Sequence, residues 1–207
     1  MHMIKHRGIA DYQTTHQAML DHIAQKKDCE IWVLEHHSVY TRGKRSLPEH
    51  IKNPTTIPII DTDRGGQVTY HGPGQMIVYP LIQIDKWHLS PSMLVTLLED
   101  ATINFLMKHG IQAYSNPQAR GVYIQGKKIA SIGLKIKQGY AYHGLALNIN
   151  CDLFHFQQIV PCGDDAMEMT NLINYTPHIH DSHMTWCHLF IEKLMQNRYN
   201  SSIDKVT

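Results

Sequence analysis

The sequence predicts an α+β fold, a single mixed-sheet domain over residues 1–207, and three observations carry that prediction. Several apolar runs have strand length and end at glycine, proline or charge clusters. One segment, 91–109, carries both helix start and helix stop signals. Helical periodicity also marks the two ends of the chain instead of alternating with every strand, the pattern of segregated helices and strands.

In chain order, residues 11–26 read as an amphipathic helix with Ala18, Met19 and Ile23 on one side. Glu30–Glu35 (EIWVLE) reads as a strand, followed by a polar loop through TRGKRSLPEH and a short strand at Ile57–Ile60. A glycine-rich run starts at Arg64 and leads into a strand over Met76–Ile84. The 91–109 helix has Ser90 as N-cap, Pro91 in its first turn, Gly110 as its stop, and Leu94, Leu97, Leu98, Ala101 and Phe105 on one face. Residues 121–150, broken by Gly126, Gly133, Gly139 and Gly144, predict an antiparallel meander of three or four strands. A long irregular segment over 151–180 surrounds Pro161-Cys162-Gly163, and loops of that length inside a compact domain are usually functional or disordered. The last helix carries Trp186, Leu189, Phe190 and Leu194 at helical spacing, with Asp181 or Ser182 as its cap.

Composition narrows the function classes. With 43% hydrophobic and 18% charged residues the chain is globular. A net charge of +1 disfavours nucleic acid or an anionic membrane as the main partner. The polar start MHMIKHRGIADYQ lacks a signal-peptide core, and no apolar run reaches the ~20 residues of a membrane span, so a cytoplasmic location is expected. Cys29, Cys151, Cys162 and Cys187 form no C-x-x-C pair, which argues against a disulfide framework or a four-cysteine zinc site. Sixteen histidines invite a metal reading, with His178, His180, His183 and His188 gathered near Cys187. No ligand set of known spacing is complete there, and no metal is expected.

The run RGGQVTYHGPGQMIVY, Arg64 to Tyr79, places glycines among Arg64, Gln67, Thr69, Tyr70, His71 and Gln75. Two readings stand: a pair of tight turns, or a loop that brings its main chain close to a ligand. Arg64 would serve structure alone if it paired with Asp61 or Asp63. Tyr79 reads as core, and His71 and His143 read more readily as satisfied core histidines than as reacting groups. Cys162 differs from the other cysteines, because a Pro-Cys-Gly turn projects a thiol instead of packing it. A thiolate nucleophile needs a nearby cation, helix N-terminus or base. Lys127 and Lys128 precede the apolar strand IASIGL; one turned inward would suit, while two solvating an edge is the plain alternative.

Together, RGGQVTYHGPGQ with Tyr79, GVYIQGKKIASIGLKI, YHGLALNIN and VPCG, in this order over roughly residues 30–170, resemble the lipoyl(octanoyl) transferases. These are the octanoyl-[acyl-carrier-protein]:protein N-octanoyltransferases. The resemblance implies a fold shared with the catalytic domains of lipoate and biotin protein ligases. It implies that Cys162 is the acyl-thioester nucleophile and that Lys128, not Lys127, activates it. Substrate contacts would come from Arg64, Gly65, Gly66, Gln67, Val68, Thr69, Tyr70 and His71, from Ser131, Ile132 and Gly133, and from Gly144, Leu145 and Ala146. The implied donor is octanoyl-acyl carrier protein. The implied acceptors are lipoyl domains of 2-oxoacid dehydrogenase complexes and the glycine cleavage H protein, with no cofactor and no ATP. After Pro-Cys-Gly many members carry an aromatic residue and then Ala-Gly-Met, whereas this chain has Asp164-Asp165-Ala166-Met167. Rival readings are an ATP-dependent lipoate- or biotin-protein ligase of the same fold, a non-catalytic protein that binds lipoyl domains or acyl carriers, and a thiol hydrolase.

Overall fold

The computed structural model describes residues 3–52, 56–177 and 182–203. His178, His180 and Asp181, considered above as ligands or a cap, lie outside the described residues. Strands and helices are numbered in chain order. They are β1 (Ile4–Ala10), α1 (Tyr12–Ala24), β2 (Glu30–His36), β3 (Val39–Arg42), β4 (Ile59–Asp61), β5 (Val68–His71) and β6 (Gln75–Gln83). Then come α2 (Pro91–Lys108), β7 (Tyr114–Ser115), β8 (Gly121–Ile124), β9 (Lys127–Lys137), β10 (Tyr140–Asn148), α3 (Phe154–Gln157) and α4 (Ser182–Ile203). Seven strands form a mixed sheet in the order β1-β2-β6-β10-β9-β8-β7, with only β1 and β2 parallel. A second sheet has the order β4-β3-β5.

Local chemistry accounts for the helices. Asp11 accepts from the Thr14 amide at 2.8 Å and starts α1. Ser90 accepts from the Met93 amide at 3.1 Å with Pro91 at the first position, and Gly110 in a left-handed conformation closes α2. One face of the large sheet packs against α2 and α4 around Leu98, Phe105, Trp186 and Phe190. The opposite face packs against α1 through Met19 and Ile23, which meet Trp32 and Tyr142. A third cluster, with Tyr40, Tyr70 and Phe156, joins the small sheet to the segment around α3.

Two strands lie outside the elements expected from the sequence. β1 carries an almost wholly exposed edge (IKHRGIA) with no apolar alternation to betray it. β3 begins before the TRGKRSLPEH stretch and includes Thr41 and Arg42, because its partners are the short strands β4 and β5. The predicted strand at 57–60 forms at Ile59–Asp61.

β6 runs through the middle of the sheet and contains Pro80, which has no N–H to give a ladder. The sheet absorbs it by interrupting the β6–β10 pairing between Ala141↔Ile82 and Leu145↔Val78. His143 adopts φ +56° in that gap, and Gly144 lies so close to β6 that a Cβ there would sit 2.0 Å from the Val78 carbonyl and 2.7 Å from Pro80 Cδ. Gly144→Ala is therefore expected to destabilise the fold by about 2–4 kcal/mol, read as a lowered urea midpoint with an unchanged slope.

Candidate active site

Cys162 occupies a single 3-10 turn, Pro161–Gly163, packed against β5. Its backbone sits at φ +58°, a left-handed conformation that costs a non-glycine residue energy and persists where surroundings enforce it. Gly163 follows at φ +73°, and the space a Cβ would fill there is taken by the side-chain amide of Gln67. The turn thus rests on a side chain from the glycine-rich run. Of the four cysteines, Cys151 and Cys187 are buried, and burial pushes both thiols up to about 12. Cys162 is half-buried and faces a cation.

That cation is Lys128, whose Nζ lies 3.0 Å from the Cys162 Sγ while the residue itself is 1% exposed. A bulge aims it. β8 pairs Val122 with Ala130 but Tyr123 with Lys128, so one extra residue enters β9 and reverses which face Lys128 takes. Lys127 points the other way and pairs with Glu168 at 2.7 Å, in solvent. The main chain of Lys128 is fixed to the segment after the nucleophile: its amide donates to the Glu168 carbonyl at 2.8 Å, and the Thr170 amide donates to its carbonyl at 2.9 Å. Burial pulls the ammonium down, but a negative Cys162 at hydrogen-bond distance and the Tyr123 hydroxyl outweigh it, so its net shift is upward. The geometry suits a thiolate–ammonium pair.

Cys162 opens into a pocket floored by β9 and β10 and walled by the glycine-rich run. Of the residues expected to touch substrate, Arg64, Gly66, Gln67, Val68, Thr69, His71, Ser131, Ile132, Gly133, Gly144, Leu145 and Ala146 line it. Gly65 and Tyr70 are not brought to the wall. The Gly65 amide bonds the Leu134 carbonyl at 3.0 Å, and Tyr70 turns into the third cluster with its hydroxyl 3.0 Å from Ser38 Oγ. Tyr79 is both core and wall, and Tyr12 and His143 join it there. Tyr12 had no local signal, because it reaches the pocket from the start of α1.

Arg64 is not paired with Asp61 or Asp63. Asp61 is taken by Arg42 at 2.7 Å and Asp63 by His143 at 2.8 Å. The guanidinium instead donates to Thr41 Oγ1, the Thr41 carbonyl and the Gly65 carbonyl at 2.7–3.2 Å. It is a buried cation, 7% exposed, with no carboxylate partner among the described residues, and burial lowers its pKa. Such a charge favours an anion developing in the pocket.

The neighbouring histidines are held neutral. Burial pushes His71 well below its ordinary range and takes His36 down to about 4. His36 bonds the Ala10 carbonyl at 2.9 Å and the Tyr79 hydroxyl at 2.8 Å. Its folded pKa lies below the unfolded value of 6.5, so the unfolded chain binds more protons in between. Its contribution to stability is full above pH ~6.5 and is lost as pH falls through about 4. Urea titrations should show that loss, and His36→Gln should flatten the curve across the same window.

His143 meets Asp63 through Nε2 and the Tyr12 hydroxyl through Nδ1 at 3.5 Å, and burial lowers its pKa. Hydrogen bonding from His143 holds Asp63 well below the usual carboxylate range, aided by Tyr142. His16, Asp63 and His143 bring three ligand atoms within 4.8 Å of one another. The hydrogen bonds from His143 and Tyr142 already account for this placement of Asp63 without an ion. No helix among the described residues is long and apolar enough to cross a membrane.

Comparison with known proteins bears on the family and the fold. The family model for the lipoyl protein ligase A/B catalytic domain matches residues 10–194. The chain is 47% identical over 169 residues to a protein of Shewanella halifaxensis (strain HAW-EB4) named octanoyltransferase, covering 80% of this chain and 77% of the relative. It is 43% identical over 206 residues to an octanoyltransferase of Actinobacillus pleuropneumoniae serotype 5b (strain L20), covering 96% and 93%. Among solved structures, lipoate-protein ligase A bound with ATP superposes with a TM-score of 0.73 at 13% identity, over 93% of this chain and 84% of that one. The biotin protein ligase of Aquifex aeolicus with biotin and ATP gives 0.56 at 13% identity, over 96% and 71%. At such identities these two likenesses speak to fold alone, the mixed sheet with helices expected from the sequence. By its family match and its relatives, the chain belongs to the lipoyl protein ligase A/B catalytic domain family.

Proposed function

We propose that this chain transfers an octanoyl group from the thioester of an acyl carrier protein to a lysine of a lipoyl domain, through a thioester on Cys162. The acceptors are the lipoyl domains of 2-oxoacid dehydrogenase complexes and the glycine cleavage H protein. The observation that carries the reading is the 3.0 Å contact between Lys128 Nζ and Cys162 Sγ at the edge of the pocket. Relatives named octanoyltransferase support the acyl group.

The Cys162 thiolate attacks the donor carbonyl, and the carrier thiol leaves with the proton of the Lys128 ammonium. In the second step the incoming amine attacks the Cys162 thioester. Lys128, now neutral, takes the amine proton, and Cys162 leaves as the thiolate, which restores the starting pair. Exchange of one thioester for another is nearly balanced, and the final amide is downhill, so no nucleotide is needed. The oxyanion of each tetrahedral intermediate gains from the fixed charge of Arg64 in the same pocket.

Intact-mass spectrometry after mixing with octanoyl-acyl carrier protein tests the proposal. An octanoyl adduct on Cys162, formed without ATP and passed to an added lipoyl domain, is the expected result. Transfer that requires ATP and free octanoate and survives Cys162→Ser would establish a ligase instead. Binding of either partner with no mass increase would establish a non-catalytic protein.

A further inference from the structure

Lys128 owes its position to a glycine that is not in the glycine-rich run. Gly121 opens β8 at φ +138°, and a Cβ built on it would lie 2.5 Å from Lys128 Cε, 3.3 Å from Nζ and 2.5 Å from the Ala130 carbonyl. The lysine stem therefore crosses the space that any other residue would fill. A glycine in this place has a cost: it leaves the backbone under the lysine freer than any other residue would. The restraint comes from α2. Glu99, 1% exposed, accepts the Gly121 amide on Oε1 at 3.0 Å and the Arg120 guanidinium on Oε2 at 2.7 Å. A buried carboxylate is retained only where it is paired and hydrogen-bonded, and both oxygens of this one are used on two consecutive residues. Tyr123 closes the other side, its ring centroid 5.3 Å from Nζ and its hydroxyl bonded to the Ala119 carbonyl at 2.5 Å.

We propose that Glu99 is a positioning residue for the transfer reaction: its carboxylate, paired with the Arg120 guanidinium, holds the Gly121 amide and so sets the bed on which Lys128 reaches Cys162. Contact runs unbroken from the α2 carboxylate through the Gly121 amide and the Lys128 methylenes to the thiol. With the clasp gone, the start of β8 drifts and the 3.0 Å contact lengthens, although no atom of Glu99 touches the reacting groups. The inference rests on the reading of Cys162 and Lys128 as the reacting pair.

The test compares Glu99→Ala with Glu99→Gln, whose amide oxygen still accepts from Gly121. Iodoacetamide alkylation of Cys162 across pH reports thiolate formation without any donor, so it stands even if octanoyl transfer fails. Glu99→Ala should move the alkylation profile to higher pH by about one unit. It should also slow single-turnover acylation about tenfold, with little change in KM for the carrier donor. Glu99→Gln should recover most of both. If Glu99→Ala does not fold, Arg120→Ala, which spares the Gly121 contact, and Glu99→Gln should both keep the native profile. An unchanged alkylation profile in a folded Glu99→Ala protein would overturn the proposal, as would equal losses in Glu99→Ala and Glu99→Gln.

Discussion

Cys162→Ala should leave a folded protein that binds the carrier-borne octanoyl group and does nothing with it. The thiol is half-exposed in a turn held by Pro161, Gly163 and Gln67, so its removal opens no core cavity and the unfolding midpoint should stay where it was. Turnover, in contrast, loses the step that divides a difficult exchange into two easier ones. Loss of a nucleophile in a preorganised site costs on the order of 10⁴-fold or more in kcat, the residual rate coming from substrate positioning alone. Single-turnover mass spectrometry should show no protein adduct. Retention of more than about a hundredth of native transfer would mean that the amine attacks the donor directly.

Lys128→Met should be nearly as damaging, in a different pattern. The methionine keeps an unbranched apolar stem over Gly121, so packing survives, but the proton donor of the proposed mechanism is gone. Removal of a positioned general acid and base costs about 10²–10⁴-fold. Because the proposed mechanism uses the same nitrogen in both half-reactions, acylation and deacylation rates measured separately should both fall. A loss confined to acylation would restrict the lysine to activating the thiol. Lys128→Arg should recover little: its planar fork cannot follow the path of the lysine stem across Gly121, and it does not release a proton near neutral pH.

Much of this was legible in the sequence, for identifiable reasons. The helix at 91–109 declared itself because Ser90, Pro91 and Gly110 are local signals read within a few residues. Cys162 stood out because proline and glycine on either side forbid a packed strand or helix. Choosing Lys128 over Lys127 was a different matter. Period-2 alternation along β9 would place Lys128 with Ala130 on the face toward α2, and only the bulge against β8 reverses it. Here the family resemblance supplied what alternation could not.

Three glycines outside the Arg64–Tyr79 run have a role visible only in the fold. Their absent side chains make room chiefly for the protein's own groups: Gln67 at Gly163, Lys128 at Gly121, the β6 backbone at Gly144. An ion pair of Arg64 with Asp61 or Asp63, the structural alternative that sequence proximity suggests, does not form. The true partners of Arg64, on Thr41, arrive through the pairing of β3 with β5. Glu99 gave no signal at all, since a single glutamate on a helix is ordinary until its neighbours across the fold are known.

Pro80 carries a consequence for how such a protein tolerates change. A sheet is ordinarily most resistant to deformation at its centre, where each strand is gripped from both sides, yet here the central grip is released over a few residues and the reacting pocket lies beside the gap. The surrounding strands act as a stiff frame around a small aperture. The exposed edge strand β1 is separated from the aperture by β2 and β6, whereas a residue with an N–H in place of Pro80 would offer the missing grip at the aperture itself. Tolerance to change at this point of the sheet therefore hinges on a discontinuity, and a substitution that made the sheet more regular would be the harmful one.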